Sequence, residues 1–345
     1  MPKHKLWIIF VILVLILPVL LRTLAPALLG RAILIGIFTI LVIGFDLAVG
    51  YGGQINLGFQ GFFAVGAYTT ALLTARKGIP AALSEPLAAM GVGCVVSVII
   101  CYLISRPVLR TGGFFLAMVT LAFGMVVYTL ANGWDFLGGA SGITGVPRFH
   151  MGPLVFSNDL WYCYAVWAFT LFSIFLSLRM VNSRWGIALR AVHSDEIAAG
   201  VTGVNVSKYK MEVFLISAIY ASVAGSLFAH HLRGVNPPMF TFTLLLLVTL
   251  AIFFGGMGTI WGGLVGAALV QGLPEGVTAL TSYWPWMNNT RELLYGIIFV
   301  LIILFMPEGI FGRVRKLFVG PLREALTRLA DETGKSGRGK KDPSG

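Results

Sequence analysis

The chain has 345 residues, 57% of them hydrophobic and 11% charged, with a net charge of +11 and a mean hydropathy of +0.87. Soluble domains carry about 25% charged residues, so a single water-soluble globule is excluded and a chain that crosses a membrane many times is implied. The basic residues lie in loops and in the tail, which argues against a nucleic-acid surface despite the charge.

From the N-terminus, Lys3 and Lys5 precede a nearly pure apolar run from Leu6 to Leu21. With Ala25-Pro26-Ala27 behind it, the run has the form of a signal peptide. A retained first span is the preferred reading, because nothing downstream resembles a secreted soluble domain. Apolar stretches recur near 28–48, 57–75, 87–105, 113–131, 160–178, 211–231, 242–257, 260–275 and 291–306. With the first, these predict an all-α polytopic membrane protein of about ten transmembrane helices. Most of the 25 Lys and Arg residues then fall on the side that carries both termini, which the positive-inside rule makes cytoplasmic. The 42 glycines suit close packing of membrane helices. Cys94, Cys101 and Cys163 lie in apolar runs; Cys94 and Cys101 are about 10 Å apart along one helix, too far for a disulfide, and read as packing residues.

The stretch 44–68 interrupts an apolar run with Gly50, Gly52 and Gly53. Broken helices at membrane depth are tolerated where the freed backbone lines a cavity or is buried in protein. Gln54, Asn56 and Gln60 set amides beside the break, and Asp46, two turns earlier, is costly in lipid. Two readings stay open: a translocation path lined by Asp46, Gly52, Gly53, Gln54, Asn56 and Gln60, with Thr120 and Tyr128 on the fifth span, or a plain turn joining spans two and three. Gly52-Gly53 to Gly66-Ala67 and Gly255-Gly256 to Gly266-Ala267 share a rhythm. Two five-span halves, inverted because five is odd, are the arrangement that echo suggests.

The longest polar interruption, 179–210, is expected in the cytoplasm and carries Arg179, Arg184, Arg190, Lys208 and Lys210. Within it a short helix of about eight residues, roughly 12 Å long, is predicted. Ser194 is its N-cap, Asp195 and Glu196 occupy the first turn, and Gly203 closes it in a left-handed conformation. Ile197, Ala198, Ala199 and Val201 supply an apolar surface. The helix reads either as a peg that docks on another protein or as a loop on the lipid surface.

No HExxH, GxSxG or Walker A motif is present, and the five histidines form no ligand cluster, so neither catalysis nor a metal site is expected. His230-His231 reads as a wet helix end. Residues 1–312 are read as the permease domain and 313–345 as a basic cytoplasmic tail, partly disordered and lying along the anionic inner leaflet.

Five blocks together resemble the permease subunits of branched-chain amino-acid ABC importers, the LivH/LivM type, and more closely the LivM side. They are GYGGQINLGFQGFFAVGAYTTALL (50–73), LRTGGFFLAMVTLAFG with ANGWDFLGGASGITGVP (109–147), SRWGIALRAVHSDEIAAGVTGVNVSKYK (183–210), FGGMGTIWGGLVGAALVQGLPE (254–275) and RELLYGIIFVLIILFMPEGIFG (291–312). The resemblance implies an ATP-driven importer in the bacterial inner membrane, with 179–210 as the loop that docks on an ATPase. Arg184, Arg190, Ser194, Asp195, Glu196, Ala198, Ala199 and Gly203 would lie at that contact. It further implies partners: a second permease, a paralogue; two ATPase subunits; and an external substrate-binding protein. ATP and Mg would sit in the partner subunits, and this chain would hold no cofactor and hydrolyse nothing. The chain departs from the family pattern at Asn56-Leu57-Gly58-Phe59, at Met125 and Tyr128, where an acidic and a basic residue are expected, and at His193-Ser194. Members of the wider family import urea, short amides and aromatic or organic acids, which keeps those solutes open. A rival class is an ion-driven secondary transporter, for which Asp46 would be the titrating acid.

Overall fold

The computed structural model describes residues 26–283 except 77–79, 109–112, 152–153 and 156–157, together with the single positions Val14, Pro18, Arg22, Gly296, Leu304 and Gly309. Those single positions apart, the expected first and tenth spans and the tail at 313–345 lie outside the described residues. Helix α1 (Pro26–Asp46) continues into a π-helical turn, Leu47–Tyr51. Then come α2 (Phe59–Ala75), the single turn α3 (Ala81–Ser84), α4 (Pro86–Val108) and α5 (Gly113–Gly133). Helices α6 (Asp159–Val181), α7 (Arg184–Ser194), α8 (Glu196–Val201), α9 (Val206–Leu232), α10 (Phe242–Gly255) and α11 (Ile260–Tyr283) follow.

Six helical stretches are long and apolar enough to cross a membrane: Leu28–Tyr51, Pro86–Arg106, Phe115–Gly133, Asp159–Val181, Val206–Leu232 and Pro237–Gly255. Helix α2 has 17 residues, about 26 Å of rise, just short of a bilayer core of about 30 Å. Helix α11 carries Pro274 in its interior, beyond its apolar part Ile260–Pro274. The described helices therefore give six candidate spans rather than the ten expected. The two glycine breaks whose echo suggested inverted halves lie against each other at one end of the bundle, as the hydrogen bond between Asp46 and Gly258 shows. That echo consequently relates two breaks of the same sense and carries no inversion.

Helix α9 is the centre. It packs against α2, α4 and α1, and its buried face is built largely from Ala, Ser and Gly. Lipid tails are as apolar as leucine, so membrane helices gain little from hydrophobicity and associate through close packing and interhelical hydrogen bonds. Both devices are present. A Cβ at Gly225 would collide with the Phe63 carbonyl, and one at Gly66 with the Ser222 backbone, so the crossing of α2 and α9 requires glycine on each helix. Thr70 and Ser226 share a hydroxyl bond of 2.6 Å, Ser177 and Tyr220 one of 2.7 Å, and Thr170 donates to the Gly36 carbonyl at 3.1 Å. Each such bond contributes about 0.6 kcal/mol. Cys101 and Cys163 are buried and free, as their apolar settings imply.

The fold is not purely helical. Four two-residue strands form two antiparallel pairs, Ile143–Thr144 with Gly234–Val235 and His150–Met151 with Leu154–Val155. The first pair fastens the long loop after α5 to the chain leaving α9. This occurs at the end of the bundle opposite the 184–201 helices.

Candidate translocation and coupling site

The region 184–210 folds as two helices, not one. Arg184–Ser194 forms α7, and the chain then extends at Asp195 (φ −159°, ψ 111°) before Glu196–Val201 forms α8. Ser194 is therefore not the N-cap. Its hydroxyl donates back to the Arg190 carbonyl at 3.0 Å, as a residue inside a helix does. The cap is Asp195, whose Oδ1 accepts from the amides of Ile197 (2.9 Å) and Ala198 (3.0 Å). The longer, charged side chain reaches both free amides and lies at the positive end of the helix dipole. Gly203 ends α8 as expected, with φ +88°. The Val204 amide donates to the Ala199 carbonyl and the Gly203 amide to that of Gly200, both at 3.1 Å, which completes a Schellman closure.

The α7–α8 hairpin is tied to the bundle from several sides. Lys210 on α9 pairs with Glu196, and the Trp185 indole donates to Glu212 Oε2 at 2.8 Å. Asn205 caps α9 through the Lys208 amide. Leu189, Val192 and Ala199 turn inward, whereas Ile197 and Val201 are 81% and 84% exposed. Arg184, Arg190, Ser194, Asp195, Glu196, Ala198 and Gly203 are all exposed. Of the expected contact residues, Glu196 is thus engaged within the chain, and Ala199 faces the bundle.

The break after α1 is held by a contact across 212 positions. Asp46, fully buried, accepts the Gly258 amide on Oδ1 at 2.8 Å. Gly258 (φ +72°) lies in the turn between α10 and α11. A Cβ at Gly50 would strike both the Asp46 carboxylate and the Gly258 amide, which accounts for glycine there. Beyond the π-turn, Gly53 adopts φ +64°. Asn56 Oδ1 accepts from the Gly58 amide at 3.1 Å, and Thr120 on α5 accepts from the Leu57 amide at 3.0 Å. The Gln60 amide packs on Gly124, where a Cβ would overlap it.

Asp46, Gly52, Gly53, Gln54, Asn56, Gln60 and Thr120 are therefore brought together along one seam. Tyr128 is not; it is half-buried about 12 Å further along α5. Within the seam Asp46 Oδ2, both side-chain atoms of Gln54, Asn56 Nδ2 and Gln60 Oε1 are buried with no hydrogen-bond partner. Such groups are costly to leave unpaired, so a row of them marks a place built for a polar occupant.

One link was missed in the sequence. His193, at the end of α7, donates from Nδ1 to the Tyr51 carbonyl at 3.2 Å, and its ring lies over Gly53. The exposed hairpin and the polar seam are thereby in direct contact. The helical spacing of Trp185, Leu189 and Val192 is the signal that could have found α7, and with it the position of His193. Among the described residues no three His, Cys, Asp or Glu side chains gather as a metal site.

A bundle of apolar helices with an interrupted helix inside it and a capped helical hairpin at one end defines a membrane permease. The chain belongs to the family described as branched-chain amino acid transport system, permease component, which matches residues 27–305. It is 31% identical over 303 residues to the high-affinity branched-chain amino acid transport system permease protein LivM of Salmonella typhimurium, covering 81% of this chain and 68% of that one. LivM of Escherichia coli strain K12 is 30% identical over the same shares. LivH of that strain is 26% identical over 80% of this chain and 91% of its own. No solved structure is significantly similar to the chain.

Proposed function

We propose that the chain is one permease subunit of an ATP-driven importer for branched-chain amino acids or a related small polar solute. In this reading it resides in a bacterial inner membrane with both termini cytoplasmic. Its partners are a second permease, two ATPase subunits that hold ATP and Mg, and an external binding protein. The α7–α8 hairpin docks on an ATPase through Ile197 and Val201, with Arg184, Arg190, Ala198 and Gly203 around them. The seam from Asp46 to Thr120 lines the solute path. The observation that carries the reading is the exposed apolar pair at the tip of a hairpin otherwise tied down at Lys210, Glu212 and Tyr51. A large apolar side chain held rigidly outward suits a partner groove. Tagged chain drawn from native membranes in mild detergent should bring two ATPases and a second permease. Ile197→Glu with Val201→Glu should lose the ATPases and keep the second permease. A chain that emerges alone, or a variant that still carries its ATPases, would overturn the reading.

An ion-driven carrier would need Asp46 to exchange a proton or a cation. Its Oδ1 is instead committed to a backbone amide, which supports a holding role.

A further inference from the structure

At the end of the bundle opposite the hairpin lies a half-open hollow of about 180 Å³, lined by Arg148, Asp159, Tyr162, His230, His231 and Arg233 among others. We propose that this hollow binds a small zwitterionic solute, an α-amino acid. The assignment rests on the importer reading above and names the chemistry its substrate must have.

The charges are arranged for both ends of such a molecule. Arg148 and Arg233, both exposed at the rim, offer planar donor forks that match a carboxylate. Asp159, also at the rim, carries the opposite charge. His230 is buried at the floor, 4% exposed, and its Nδ1 donates to the Pro147 carbonyl at 2.9 Å. In the neutral ring Nε2 is then a bare acceptor, and it has no partner. Asp159 and His230 Nε2 both suit an ammonium. The Tyr162 hydroxyl is committed to the Leu227 carbonyl at 2.5 Å, and its ring stacks on His231, so that side is a wall rather than a donor.

The backbone supports the same assignment. Arg233 is the only non-glycine among the described residues with a positive φ, 55°. It occupies the left-handed position that ends α9, where glycine would fit without strain. Strain of this kind persists at functional sites because the surroundings enforce it. Here the Arg233 carbonyl accepts the Val146 amide at 3.2 Å, pinning the loop that carries Arg148 over the hollow. The volume is below the roughly 300–1,000 Å³ of drug-sized sites and excludes a large solute. An acidic side chain from a docking protein would meet Asp159 and His230 Nε2, two groups that repel it.

The test uses the permease complex as purified, without the external binding protein, and tritiated L-leucine as probe. Saturable retention is expected, weakened at least tenfold by Arg148→Gln with Arg233→Gln. 4-Methylpentanoate, which lacks the amino group, should compete at least tenfold less well than leucine. Both arginines are exposed, so thermal unfolding of the variant should match the parent. The assignment fails if the folded parent retains no leucine, or if the variant retains it equally. It also fails if the variant binds leucine normally but loses delivery from the binding protein, which would make the hollow a docking surface. ATP-driven uptake by the parent separates the two levels: its absence overturns the importer reading, whereas uptake with no arginine-dependent binding overturns only the hollow.

Discussion

Asp195 and Gly203 set the two ends of the exposed helix α8. The Asp195 carboxylate satisfies two amides that would otherwise be bare, so Asp195→Ala should destabilise the hairpin by about 1 kcal/mol. Ser194→Ala, whose hydroxyl only returns to the preceding turn, should stay within about 0.5 kcal/mol. Amide hydrogen exchange across 196–204 separates the two: faster exchange in the serine variant alone would contradict the cap assignment. At Gly203 there is open space where a Cβ would go, so a substitution meets only backbone strain. Gly203→Val forces a β-branched residue to φ +88°, at a cost of about 1–3 kcal/mol. ATP-dependent uptake in membrane vesicles should fall sharply while the chain remains in the membrane. Undiminished uptake would remove the coupling role.

The α2–α9 crossing depends on what is absent from its side chains. Gly225→Val would drive a methyl group into the Phe63 carbonyl and the Ala67 amide, backbone atoms that cannot rotate away. Overpacking of this kind costs about 1–3 kcal/mol. Thermal unfolding in detergent should show a clear loss for this variant and none for Gly91→Ala on α4, where nothing lies within 4 Å. At this scale the sequence was informative. The apolar runs from 28 to 275 map onto α1, α2, α4, α5, α6, α9, α10 and α11, because length and composition alone decide which segments lipid accepts. The hairpin was read half correctly. Gly203 was legible, since only a left-handed stop explains a glycine after an apolar turn. Ser194 was misassigned because serine and aspartate are both good caps, and neighbouring positions cannot be ranked without knowing where α7 ends.

Across the whole molecule the informative contacts span the greatest sequence distances, and pattern reading could not supply them. Asp46 reaches Gly258, and His193 reaches Tyr51, because α1, α9 and the α10–α11 turn pack together, a tertiary result no local period encodes. Asp46 therefore looked like a possible ion site when read alone and like a clamp once its partner was known. Asp46→Asn keeps an oxygen for the Gly258 amide and should leave ATP-driven uptake within about threefold of the parent. Asp46→Leu strands that amide at a cost of about 1–3 kcal/mol and should lower uptake at least tenfold. Equal loss in both variants, measured in proteoliposomes, would restore the ionic role.

Helix α9 joins the hairpin at Lys210 to the hollow at His230, and it is pressed against α2 near Gly225. The 19 residues from Val206 to Gly225 span about 28 Å, and the seven from there to Leu232 about 10 Å. A stiff rod held at such a point is a lever with unequal arms, of a ratio near three. A stroke of about 3 Å delivered to the hairpin would appear as about 1 Å of opposite motion at the hollow, with correspondingly greater force. Spin labels placed at the two ends of α9 would read the two displacements directly, and equal strokes in the same direction would show the rod sliding instead of pivoting.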